Sequence, residues 1–265
     1  MQPTEPALTY ATYLKVHELL TLQSPRSMPI EHDEMLFIVI HQVYELWFKQ
    51  ILHELGGMRT ALSKDDVPQT LHTFKRVLTI LKTLVAQVDV IETMTPVSFA
   101  SFRSRLESAS GFQSRQFRMV EFQLGKREQR ALVQYAGDEE SLRLLNEIAN
   151  QPSVYDLFLI WLRGRGFAIP ESVARKDAFA GNPESEEVRA VLIDIYRNHP
   201  TEAALCERLV DLDEGLQEWR YRHVKMVERT IGFKMGTGGS AGAEYLRSTL
   251  FRPLFPDLWS IRSAL

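Results

Sequence analysis

Cysteine is almost missing from this chain: Cys206 is the only one in 265 residues. A lone thiol cannot close an intramolecular disulfide, and it rules out every metal motif that needs two or more cysteines. A reducing compartment suits such a composition. Charge of one sign is also scarce, because 31 basic residues meet 34 acidic ones for a formal net charge of −3. The two signs are interspersed, so the electrostatic footprint of a nucleic-acid binder is absent. No apolar run approaches the ~20 residues needed to cross a bilayer. The opening residues Met1 to Pro6 lack the basic and apolar regions of a signal peptide. The expectation is a cytoplasmic protein with neither nucleic acid nor membrane as a partner.

What is present is helical periodicity. Hydrophobic residues at 45% and charged residues at 25% give the balance of a folded chain, not a disordered one. From Asp33 to about Met58, the residues Leu36, Phe37, Ile40, Tyr44, Trp47, Phe48, Ile51 and Leu55 recur at spacings of three and four. Asp33 and Glu34 suit a helix N-terminus, and Gly56-Gly57 predicts its stop. A second helix is predicted from about Val67 to Glu92. Its length, ~37 Å at 1.5 Å per residue, suits a bundle.

Pro96 opens a third helical segment, Val97 to Leu106. Residues 108–111 break it, and helix resumes over Phe117 to Leu124. Further helices are predicted at 139–149, 153–164, 186–197 and 201–233. Period-two alternation is hard to find, so the fold class is all-α, a helical bundle with long helices. Residues 165–185 form the one long irregular stretch. Met235 to Gly242 is a glycine-rich loop that lacks the phosphate-loop pattern and follows no strand.

Seven histidines are candidates for chemistry, and none forms the H-E-x-x-H zinc pattern. His17, His53, His72 and His199 sit among polar neighbours and read as surface residues. His32 with Asp33 and Glu34 has ligand chemistry, but a charged helix start explains the three as well. His41 differs, because it lies in the apolar run F-I-V-I-H-Q-V-Y-E-L-W-F-K-Q, four residues after Phe37 and on the same helical face. His223 lies one turn after Trp219 in W-R-Y-R-H-V. A single neutral imidazole can hold haem iron axially, although a histidine on such a face is more often a satisfied core residue. Phe99 and Arg103 repeat the four-residue spacing. An arginine one turn from a ring can clamp a carboxylate bidentately while the ring covers an apolar body, or it can form an ordinary surface ion pair.

Taken together, the segments closely resemble the tryptophan 2,3-dioxygenase family. The matching stretches are L-T-Y-A-T-Y-L at 8–14, H-D-E-M-L-F-I-V-I-H-Q-V-Y-E-L-W-F-K-Q-I-L-H-E-L at 32–55 and I-E-T-M-T-P-V-S-F-A-S-F-R at 91–103. They continue with A-S-G-F-Q-S-R-Q-F-R at 109–118, W-R-Y-R-H-V at 219–224 and G-F-K-M-G-T-G-G-S-A-G at 232–242. Residues 125–215 carry little of the pattern.

The resemblance implies one haem-dioxygenase domain over residues 1–265, with long helices around a pocket for haem b, ferrous in the active state. It implies a cytoplasmic homotetramer, a dimer of dimers, that cleaves the indole C2–C3 bond of L-tryptophan with O₂ to give N-formyl-L-kynurenine. His223 matches the proximal iron ligand, and Trp219 is then its neighbour at the iron site. His41 matches the distal, catalytic histidine, an acceptor for the indole N–H. Phe37 and Phe99 match the indole pocket, Arg103 the carboxylate clamp, and Thr237 a contact to the amino-acid end of the substrate. Tyr10 and Tyr13 match tyrosines that reach a neighbouring subunit's active site. Ser110 and Gly111 match a loop bordering the haem, and Arg118 a partner for a propionate.

Arg115 departs from the pattern, standing where an apolar or aromatic residue is expected; it either turns toward a propionate or faces solvent. A relative acting on another indole, or a haem sensor without chemistry, remains the alternative. The Arg103 and Thr237 pair argues for a free amino acid as substrate.

Overall fold

Two short helices, α1 (Tyr10–Leu14) and α2 (Val16–Leu19), open the computed structural model, which describes residues 7–174, 177–232, 234–236 and 243–265. Thr9 and Thr12 cap α1 reciprocally, each side chain accepting from the other's backbone N–H. Neither helix buries a residue. Four or five residues are too few for a 3.6 period to show, which is why neither was predicted.

Helix α3 (His32–Ser63) begins as predicted, with Asp33 and Glu34 in its first turn. It does not stop at Gly56-Gly57. Two helical glycines cost about 1 kcal/mol each relative to alanine. Continuing the helix buries Met58, Ala61 and Leu62, and each large apolar side chain contributes about 1.5–3 kcal/mol on burial. Packing therefore overrides the local signal. Glu34 accepts from the backbone N–H groups of Arg26 (2.7 Å) and Ser27 (2.9 Å) and from the Ser27 hydroxyl. Its carboxylate closes the incoming loop, and no group of three potential metal ligands occurs among the described residues.

Helix α4 (Val67–Ile91) is capped by Asp66, which accepts from Gln69 N at 3.0 Å, and carries Pro68 in its first turn. Thr95 caps α5 (Pro96–Arg103), which ends in a 3₁₀ turn over Ser104–Leu106. A second 3₁₀ turn, Gly111–Gln113, leads into α6 (Arg115–Gln123). The elements then run through α7 (Glu139–Ala149), α8 (Val154–Gly164) and the one-turn α9 (Glu171–Ala174). They end with α10 (Glu186–Asn198), α11 (Pro200–Ile231), α12 (Ala243–Arg247) and α13 (Pro256–Ser260). No strand occurs among the described residues. Of the predicted irregular stretch, the described part holds only α9, and Asn182 ties it down by donating to the Leu124 (3.2 Å) and Leu254 (2.8 Å) carbonyls.

Helices α3 and α11 both pack along α4. Gly215 permits a close approach there, since a Cβ would lie 3.3 Å from the Leu81 side chain. The main core joins Leu55, Phe74, Leu84, Phe158, Leu192, Leu209 and Phe255, from five helices and the C-terminal segment. Asp213 holds that segment on α11 by accepting from Leu254 N (2.7 Å), Phe255 N (3.2 Å) and Trp259 Nε1 (3.0 Å). A smaller cluster of Ile40, Ile91, Met94, Phe99 and Phe102 gathers where the first half of α3 meets the ends of α4, α5 and α11. The candidate site borders this cluster. No described helix is long and apolar enough to cross a membrane.

Candidate active site

One cavity collects the residues singled out from the sequence. Helix α3 turns Phe37, His41 and Phe48 toward it, α5 contributes Phe99 and Arg103, and α11 contributes Trp219 and His223. The four-residue spacings decide which side chains meet. Phe37 and His41, one turn apart, bring their ring centroids within 4.1 Å, and Phe37 lies 5.7 Å from Phe99 and 5.6 Å from Phe102. Phe99 and Phe102 meet edge to face at 5.4 Å. The result is an apolar aromatic wall with an imidazole set in it.

The tautomer of His41 follows from its hydrogen bond. Its Nδ1 lies 2.7 Å from the Phe37 carbonyl oxygen. A carbonyl only accepts, so Nδ1 carries the proton, and in the neutral ring Nε2 keeps its lone pair. Burial holds the His41 pKa below the usual value, against smaller opposite effects of the Phe37 bond and the Glu45 charge. The ring is therefore a neutral acceptor at physiological pH.

His223 is the second imidazole of the cavity. Trp219, one turn earlier on α11, stacks on it with a centroid distance of 5.3 Å and planes 4° apart. Trp219 is itself held by Phe117 at 4.9 Å and Phe48 at 6.1 Å. Burial, and then the nearby His41, push the His223 pKa down to about 4. His223 makes no hydrogen bond among the described residues, and a neutral imidazole has a lone pair able to ligate a metal.

Arg103 is half-buried, and its Nη2 donates to the Met235 carbonyl at 2.5 Å. The guanidinium lies at the start of the glycine-rich loop. Thr237 falls outside the described residues. Ser110 and Gly111 line the cavity, with Ser110 capping the turn by accepting from Phe112 N. Tyr10 and Tyr13 are exposed on α1 and do not line it.

At another side of the cavity lies a charge cluster that the sequence reading found only in part. Glu121 accepts from Arg118 Nη1 at 2.5 Å, Arg220 Nη2 at 2.7 Å and Lys126 Nζ at 3.0 Å. All four residues line the cavity. Burial would raise the Glu121 pKa, but the three cations bring it below the ordinary carboxylate value. Arg118 was anticipated; Glu121, Lys126 and Arg220 were not. A glutamate inside the run M-V-E-F, and an arginine three residues before His223 on the same helical face, were the available signals.

Arg115 turns away from the cavity. Its Nη1 lies 3.4 Å from Ser141 Oγ and 3.7 Å from Glu140, so it is a surface ion pair. His17, His53 and His72 are exposed as expected, whereas His199 is half-buried with its ring edge-on to Phe167 at 4.9 Å.

The sequence comparisons agree with this geometry. A family profile described as tryptophan 2,3-dioxygenase matches residues 2–166 and 184–265, leaving out most of the irregular stretch. A tryptophan 2,3-dioxygenase of Anaeromyxobacter sp. strain K is 59% identical over 260 residues, 98% of this chain and 97% of that protein. One from Herpetosiphon aurantiacus is 57% identical over 98% of this chain and 99% of its own length. One from Xanthomonas campestris is 41% identical over 98% and 88%. With near-complete coverage at these identities, and with the two histidines, the aromatic wall and the arginine gathered in one cavity, the chain belongs to the tryptophan 2,3-dioxygenase family.

Proposed function

We propose that this protein is a haem-dependent dioxygenase that cleaves the indole C2–C3 bond of L-tryptophan with O₂, giving N-formyl-L-kynurenine, the first step of tryptophan degradation by the kynurenine route. The observation that carries the reading is the pair of neutral imidazoles, His41 and His223, on two helices of one aromatic cavity. The donor set fits a haem. His223, its ring plane fixed by Trp219, would offer its lone pair to iron, Ser110 and Gly111 would border the group, and Arg118 would supply a buried cation for a propionate. Bound ferrous haem b supplies O₂ binding and activation.

The remaining work falls to side chains. Phe37 and Phe99 cover the indole and exclude water. His41 accepts the indole N–H at Nε2, because Nδ1 is committed to the Phe37 carbonyl. Arg103 pairs the substrate carboxylate in place of the Met235 carbonyl, exchanging a neutral acceptor for a charged one, and charge-assisted bonds are roughly twice as strong. Thr237, two residues beyond Met235, contacts the amino-acid end. Both oxygen atoms enter the product, so turnover needs no external electron donor.

The chain acts in this reading as a single domain and as a homotetramer, a dimer of dimers, in the cytoplasm, where one buried thiol, Cys206, is at home. Leu8, Tyr10, Tyr13, Leu20 and Ile30 are each more than two-thirds exposed. So much apolar surface in one arm supports its packing on another copy, with Tyr10 and Tyr13 at the neighbouring active site.

The test is direct. Purified protein reconstituted with haem should show a Soret band and, when reduced and aerated with L-tryptophan, should accumulate N-formylkynurenine absorbance. A His223→Ala variant should lose normal haem ligation, and His41→Ala should keep the haem with weakened turnover. Normal haem spectra and turnover in His223→Ala would refute the site assignment.

A further inference from the structure

The charge cluster beside the cavity is out of balance. Arg118, Lys126 and Arg220 surround a single carboxylate, Glu121, leaving two positive charges in excess. The side chains of Arg118, Arg220 and Glu121 are 7%, 5% and 3% exposed, so water cannot compensate them. The other acidic groups nearby are engaged. Glu45 accepts from Gln116 at 2.9 Å, and Glu128, whose charge reaches Lys126, pairs with Arg130 at 2.7 Å.

Two donors in the cluster also lack a partner. Arg118 Nε and Arg220 Nη1 are sealed from solvent and make no hydrogen bond. Buried donors of charged groups are satisfied in nearly all folded proteins, so an orphaned pair on residues that line a cavity points to a ligand acceptor, met when the guanidinium groups turn toward it. Arg220 lies three residues before His223, on the same face of α11, and Arg118 lies one turn before Glu121 on α6. The residues with unsatisfied donors, the excess charge and the iron-ligand candidate thus border one cavity.

We propose that Arg118 and Arg220, supported by Lys126, form a two-carboxylate anchor for both propionates of the haem, with Glu121 neutralising the third cation. This rests on the haem reading above and extends it beyond a single Arg118 contact. Two excess charges match two carboxylates, and the free Nε and Nη1 give each guanidinium a donor to spare for them.

The experiment compares binding of iron protoporphyrin IX with its dimethyl ester, which keeps the ring and iron but has no anionic carboxylates. Affinity is read from the Soret band and from haem transfer to excess apomyoglobin, with no use of turnover. The wild-type chain should prefer the free acid by about 100-fold, roughly tenfold for each charge-assisted pair. Arg220→Met and Arg118→Met should each remove about tenfold of that preference while binding the ester as the wild type does. Equal wild-type affinity for acid and ester would overturn the anchor and leave the haem reading standing. Failure of both porphyrins to bind would overturn both. The wild-type comparison decides even where a variant fails to fold.

Discussion

The cavity has two ends that solve burial in opposite ways. At the aromatic end, Phe37, Phe99 and Phe102 surround His41, and the ring avoids the cost of burial by staying uncharged. At the other end Glu121 is at least as well buried, yet it stays ionised because three cations touch it. Desolvation acts on both groups. Whether a buried group gives up its charge depends on whether the fold brings an opposite charge to it. The first end suits a neutral aromatic body, the second an anionic group such as a carboxylate.

Breaking the charged end should have the largest effect. Glu121→Leu leaves three cations without their carboxylate, and an uncompensated buried charge costs about 3–5 kcal/mol. Urea denaturation at neutral pH measures it, and a loss below about 1 kcal/mol would mean that the cluster is solvated.

Next comes Arg103→Leu at the substrate's edge of the aromatic end. It should lower kcat/KM for L-tryptophan by roughly 2–3 kcal/mol, about 30- to 150-fold, while changing turnover of tryptamine little. Equal losses for both substrates would remove Arg103 from the carboxylate role.

The pH dependence of stability sharpens the contrast, because the two ends should fail in different windows. The histidines have folded pKa values below the ordinary 6.5, so in the haem-free chain their contribution is full above 6.5. It falls away with acidification, down to about pH 4 for His223. Glu121 has a folded pKa below the ordinary 4.5, so its contribution is full above 4.5 and disappears only as pH drops through the lower folded value. A chemical-denaturation series should show two successive losses, and Glu121→Gln should diminish only the more acidic one, which Glu121 shares with other carboxylates held below their ordinary value, Glu34 and Glu207 among them.

The smallest effect belongs to Arg115→Ala. Although Arg115 is one turn from Arg118 on α6, it faces Ser141 and Glu140 at the surface. Stability should change by no more than about 0.5 kcal/mol, and haem affinity should not change at all. A drop in haem affinity would place it with the anchor.

These contrasts also mark where the sequence was readable. Phe37 with His41, and Phe99 with Arg103, are four apart on helices, so their meeting was visible from spacing. The Glu121–Arg220 contact joins residues 99 positions apart, and no local pattern announces it. Gly56-Gly57 misled in the other direction. Their propensity to end a helix is local, whereas the burial of Met58 and Leu62 that carries α3 onward depends on partners elsewhere in the chain. The turns of α1, α2, α12 and α13 escaped because four or five residues hold too little of a period to detect.

By itself, the sequence determined the helical class, the family and the one-turn pairs. Even the His41 tautomer is local in origin, since Nδ1 bonds a carbonyl one turn back on its own helix. Tertiary structure alone decided that His41 and His223 line one cavity and stay neutral, and that two arginines from separate helices share one glutamate. The reason is physical: helical periodicity and one-turn contacts involve near neighbours along the chain. Desolvation and Coulomb interactions depend on whatever the fold brings close, at any separation in sequence.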